Sequence, residues 1–108
     1  MSGITFDAGG LIALDRGDRR VLALLARATE RGMPVTIPAT ALAQAIRNPS
    51  RQACLARLIR QANTDLVALD GADATRTGLL LARTRTSDIV DAHIVICARR
   101  AADPHQQF

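Results

Sequence analysis

The chain has no lysine, no tryptophan and no tyrosine, and Glu30 is its one glutamate. Its aromatic residues are Phe6 and Phe108. Without Trp or Tyr, platforms for stacking nucleic-acid bases are nearly excluded. A core must come instead from Leu, Ile, Val and Ala, which suits helices packed on a small sheet. Cys54 and Cys97 show neither CxxC nor Cys/His metal spacing, and read as buried free thiols in a reducing compartment. No basic segment opens "MSGITFDAG" and no apolar run approaches a transmembrane span, so a cytoplasmic protein with no membrane partner is expected. Nor is there a GxGxxG or GxxxxGK[ST] loop, which argues against a nucleotide-binding or regulatory α/β domain.

What is present is a sequence of 108 residues, 48% of them apolar. That is one small domain, able to bury roughly 60–70% of the surface its unfolded form exposes. The net charge is +4, and every basic residue is an arginine. Arginine forks match phosphate geometry, and a positive field favours a polyanion. GC-rich coding would also spell basic positions as Arg, without removing that field.

Strands and helices alternate along the sequence. "GITF" reads as a strand ended by Asp7 and the flexible pair Gly9-Gly10, with a short helix "LIALDR" after it. Asp18 caps a helix whose Val21, Leu24, Leu25 and Ala28 share one face, closed by Gly32. "PVTIP" is a second strand, and Pro38 opens the helix "ATALAQAIR". Leu55, Leu58, Ile59 and Ala62 repeat the helical spacing, "DLVALD" is a third strand, and "GADATRTGLLLARTR" is a helix weakened by Gly78. "TSDIVDAHIVICARR" makes the last helix. This alternation implies βαβ units and a parallel sheet covered by helices. Functional residues in such sheets collect at the carboxyl ends of the strands, where Asp7 stands.

Taken singly, the acids read as caps. Asp7 precedes a helix. Ser87 or Asp88 is the N-cap of the last one, with Asp91 in its first turn where the helix dipole favours negative charge. Asp88 and Asp91 also share a face, so they can converge on one cation. His93 points around the helix away from Asp91 and reads as a packing or surface histidine. His105 lies in a polar tail that is expected to be disordered. Arg47 and Arg51 are the candidates for RNA phosphate contacts, although each taken singly reads as solvated helix charge.

Together, "ITFDAGGLIALDRGD", "PVTIPATALAQAIR" and "TSDIVDAHIVICARR" resemble, in order and spacing, a PIN domain. More closely they resemble the VapC-type ribonuclease toxins of bacterial toxin–antitoxin pairs. The resemblance covers residues 1 to about 100, leaving 101–108 as a C-terminal tail. It implies an α/β, three-layer sandwich and a metal-dependent endoribonuclease, inhibited by a cognate antitoxin and paired as a homodimer. Asp7, Asp88 and Asp91 would then be catalytic and would ligate Mg²⁺ or Mn²⁺, hard ions that take oxygen ligands.

Two departures accompany it. The family's usual Glu in the middle segment is Gln44 here, an outer-shell ligand at most. The family's fourth strand and its acid are not recognisable in "AADPHQQF", where Asp103 only faintly matches. The last strand is therefore expected to be missing, and the protein to be shortened at its C-terminus. The alternative function is a catalytically weak or inactive PIN remnant that keeps antitoxin or dimer binding.

Overall fold

In this computed structural model, residues 3–61, 63–85, 88–100 and 105–107 are described. Strands β1 (Gly3–Thr5), β2 (Val35–Pro38) and β3 (Thr64–Val67) form a parallel body in the order β3-β2-β1, and β4 (His105–Gln107) adds to the free side of β1. The helices are α1 (Ala8–Asp15), α2 (Arg19–Glu30), α3 (Ala39–Ala45), α4 (Ala53–Ile59), α5 (Gly71–Thr84) and α6 (Ile89–Arg100). A 3-10 turn, Pro49–Arg51, precedes α4. The α/β architecture and the parallel sheet expected from the alternation are present. Among the described residues, no helix is long and apolar enough to cross a membrane.

The expectation of a missing last strand is corrected. Gly3, Ile4 and Thr5 of β1 pair in parallel with His105, Gln106 and Gln107. A ladder is made by backbone N–H and C=O groups, so a polar three-residue segment can join one without the β-branched pattern that would announce it. His105 thus belongs to the sheet rather than to a disordered tail. Asp103, the faint match to the family's fourth acid, lies outside the described residues, as do Ser87, Ala62 and Phe108.

The core is aliphatic around one aromatic. Ile4, Phe6, Leu11, Val35, Ile37, Ala41 and Ala45 are fully buried, with Leu14, Leu25, Ala28, Leu55, Leu58 and Ile94 nearly so. The α2 face holds as its spacing predicts: Leu25 and Ala28 are buried, and Val21 and Leu24 pack against the core. α1 starts earlier than expected, at Ala8, so Gly9 and Gly10 lie inside its first turn instead of separating strand from helix. The Asp7 carboxylate explains this, since it accepts a 2.6 Å hydrogen bond from Gly10 N–H and offsets the poor helix propensity of the glycines. α6 packs on β1, β2, α3 and α5, and α1 packs on α2, α3 and α4. Of the two cysteines, Cys97 is buried as expected, whereas Cys54 is only half-buried.

The link from α3 to α4 depends on a residue that carried no signal in the sequence. Gln52 is buried; its Oε1 accepts from Arg47 N–H (3.0 Å) and Asn48 N–H (3.2 Å), and its Nε2 donates to Ala45 C=O (3.1 Å). Removing it strands three backbone groups, so Gln52→Ala is expected to cost about 2–3 kcal/mol, measured by urea denaturation. A cost within ~0.5 kcal/mol, the range of ordinary surface substitutions, would show that the loop is held by something else.

Candidate functional site

The carboxyl end of β1 runs through buried Phe6 into Asp7, which is half-buried and caps α1 through Oδ1. β1 lies inside the sheet, between β2 and β4, so Asp7 stands at the middle of the sheet's carboxyl edge. Across from it, α6 brings two acids. Asp88 accepts a 3.0 Å hydrogen bond from Asp91 N–H through Oδ1 and so caps α6, and Asp91 sits in the first turn. The capping roles read from the sequence are therefore real for Asp7 and Asp88. The resemblance implies, beyond capping, that these acids meet at one cation.

The electrostatics of Asp91 register its neighbours. Its carboxyl titrates above the ordinary value of 3.8. The largest cause is water excluded by local packing, followed by the charge of Asp88, a side-chain hydrogen bond with Asp88, and the charge of Asp7. Asp91 thus feels both other acids, although Asp7 comes from the opposite end of the sequence. A carboxyl raised in this way binds more protons folded than unfolded. Its contribution to stability is greatest below 3.8 and is lost as pH rises through its folded value. Asp88→Asn keeps a capping side chain and removes a charge. It is expected to lower the Asp91 pKa while leaving the part due to packing, as read by carboxyl ¹³C NMR. An unchanged titration would mean that Asp88 does not reach Asp91 in solution.

Asp88 and Asp91 open onto a cleft of about 410 Å³ that is also lined by Leu80, Thr84, Ala92, Val95 and Arg99. Arg99 is exposed and two turns along α6 from Asp91, a cationic group that nothing in the sequence singled out. Gln44 is exposed on α3, and among the described residues no hydrogen bond joins it to Asp7, Asp88 or Asp91. Arg47 and Arg51 are brought together, with Arg16 and Asp15, around a shallow cleft of about 180 Å³. Arg16 is the C-cap of α1 and Asp7 its N-cap, so the backbones of these two residues are one α1 length, ~12 Å, apart.

A second constellation is buried. His93 is fully buried, as a packing histidine would be, yet it is part of a polar network. Its Nδ1 shares a 2.6 Å hydrogen bond with Thr40 Oγ1, and its Nε2 stands 3.4 Å from Oδ2 of fully buried Asp73. The other oxygen of Asp73 takes the exposed guanidinium of Arg76 at 3.2 Å. Asp73, His93 and Cys97 bring their ligand atoms to within 4.8 Å of one another, all buried. The three acids at the sheet edge do not form such a closed group; what joins them is electrostatic influence.

Asp73 gave no sign of this role in the sequence, because an acid in a helix's first turn reads as a dipole partner. The one available signal, not recognised as a metal spacing in the sequence, is the i, i+4 separation of His93 and Cys97, which places both on one face of α6. The sequence matches no protein-family model, and no curated protein or solved structure matches it.

Proposed function

We propose that the protein is a metal-dependent endoribonuclease of PIN type, acting on RNA as the toxin of a toxin–antitoxin pair. The observation that carries this reading is the position of Asp7 at the carboxyl edge of a parallel sheet, near enough to Asp91 that its charge, after desolvation and the larger effect of Asp88, adds to raising that carboxyl. Accumulated negative charge of this kind is what a divalent cation relieves, and the donors are all oxygen, as Mg²⁺ or Mn²⁺ requires. Asp7, Asp88 and Asp91 would hold the ion, which supplies activation of water and offsets charge on a leaving oxygen. Gln44 brings no charge, so the ion rests on three carboxylates.

The protein's own groups account for the rest. Asp7 and Asp88 are fixed by caps that each use one oxygen, so their backbones are held before any cation arrives. Arg99 lines the same cleft two turns along α6 from Asp91, and Arg47 and Arg51 stand with Arg16 at the far end of α1; these arginines would meet phosphates of an extended single strand. An antitoxin and a second copy of the protein remain part of the proposal. Val21, Leu24, Leu25 and Ala28 of α2 and Leu55 and Leu58 of α4 are spent on the protomer's own core, and Leu22 is the large apolar residue left exposed on α2.

The test is cleavage of a labelled single-stranded RNA with Mg²⁺ or Mn²⁺, against the same reaction with EDTA. Metal-dependent products support the nuclease. RNA or antitoxin binding without cleavage, in a folded protein, would replace it with the binding remnant. That second reading draws on the uncharged Gln44 and the open arrangement of the acids.

A further inference from the structure

We propose that Asp73, His93 and Cys97 are three ligands of a transition-metal site of the zinc class, joining α5 to α6. It is separate from the acids at the sheet edge and does not depend on their function.

The donor set is one carboxylate oxygen, one imidazole nitrogen and one thiolate sulfur. Mg²⁺ and Ca²⁺ take oxygen ligands, so a sulfur and a nitrogen select Zn²⁺ and its neighbours. The His93–Asp73 spacing agrees, and Cys97 lies close to both. Zinc bonds of about 2.0–2.3 Å in a tetrahedron put ligand atoms roughly 3.3–3.8 Å apart. His93 Nε2 and Asp73 Oδ2 are 3.4 Å apart, and all three ligand atoms lie within 4.8 Å. His93 and Cys97 are four residues apart on α6, and Asp73 faces them from α5.

The surroundings are arranged as outer partners of a metal site are. Thr40 Oγ1 lies 2.6 Å from Nδ1 of His93. With the ring proton on Nδ1 donated to that hydroxyl, the lone pair of Nε2 faces the cluster. Nε2 makes no hydrogen bond of its own, although the ring is fully buried. Arg76 holds Oδ1 of Asp73, and Oδ2 lies on the side of His93. Thr77 follows Asp73 by one turn, and its buried hydroxyl also lacks a hydrogen-bond partner. It or a water completes four-fold coordination. Once the ion has displaced the thiol proton, carboxylate and thiolate together would present two negative charges to a divalent cation. Binding releases the thiol proton to solvent and changes no oxidation state.

The experiment uses the full-length protein purified without chelator, loaded with Co²⁺ and read by absorption. A thiolate-to-cobalt charge-transfer band with tetrahedral d–d bands is expected, and Zn²⁺ should abolish both by displacement. Cys54→Ser should keep the band and Cys97→Ser should lose it. Cys97 is the other of the two cysteines, so retention in Cys54→Ser alone assigns the ligand even where Cys97→Ser does not fold. Absence of a thiolate band in the native protein would overturn the site, and so would its loss in Cys54→Ser. Mg²⁺ should compete at neither band, which separates this site from the acids.

Discussion

Asp7→Asn and Asp91→Asn should each reduce metal-dependent RNA cleavage by about a hundred-fold or more, the scale on which loss of a single transition-state electrostatic contact is felt. Asparagine is chosen because it caps helices nearly as well as aspartate. Asp7→Asn therefore removes the charge at the sheet edge while leaving an acceptor for Gly10 N–H. Asp91 is exposed, so its change should leave circular dichroism and the thermal midpoint within the range of surface substitutions. Gel assays of a single-stranded RNA at several Mg²⁺ and Mn²⁺ concentrations give the rates. Wild-type cleavage in either variant would sink the nuclease proposal, because the proposed ion rests on these carboxylates. Asp88→Asn should have a smaller effect, since one oxygen of Asp88 is already committed to capping Asp91 N–H.

Phe6→Ala should be the most destabilising single change, at about 3–5 kcal/mol, the range for truncating a buried aromatic. Phe6 is fully buried, and its backbone N–H donates to Thr36 C=O at 3.0 Å. A small domain has roughly 5–15 kcal/mol in total, so this loss takes much of the margin. Phe6→Leu keeps most of the volume and should cost less than about 1.5 kcal/mol. Guanidinium denaturation of the pair decides it. A cost for Phe6→Ala below ~1 kcal/mol would mean that the core collapses onto the gap, contrary to dense packing around Phe6.

Much of this was legible in the residues themselves. The α2 face was readable from Val21, Leu24, Leu25 and Ala28, because 3.6-residue periodicity needs no tertiary information. The caps at Asp7, Asp18 and Asp88 were readable because short acceptor side chains serve local backbone donors. What stayed hidden depends on pairings between distant segments. Asp73 looks like any first-turn acid until α5 is laid against α6, where it meets His93 and Cys97. Gln52 looks like a surface amide until the turn from Ala45 to Asn48 wraps around it. β4 has no side-chain pattern, since "HQQ" enters the sheet through its main chain. The charge coupling of Asp7, Asp88 and Asp91 fell between these cases: each acid was visible alone, and only the family resemblance joined them.

The strand order has a kinetic meaning. β1 ladders with β2 across a crossover of two helices, α1 and α2, but its other side waits for His105–Gln107, roughly a hundred residues later, so that ladder closes a very long loop. Local helices such as α2 can form early, while the β1–β4 seam is among the last contacts to form. A pulse-labelling hydrogen-exchange experiment should therefore protect the amides of α2 before those of β1 that face β4. Until that seam closes, one side of β1 presents unpaired backbone groups beside Asp7, and that interval is when the folding protein is most exposed to strand capture by another molecule.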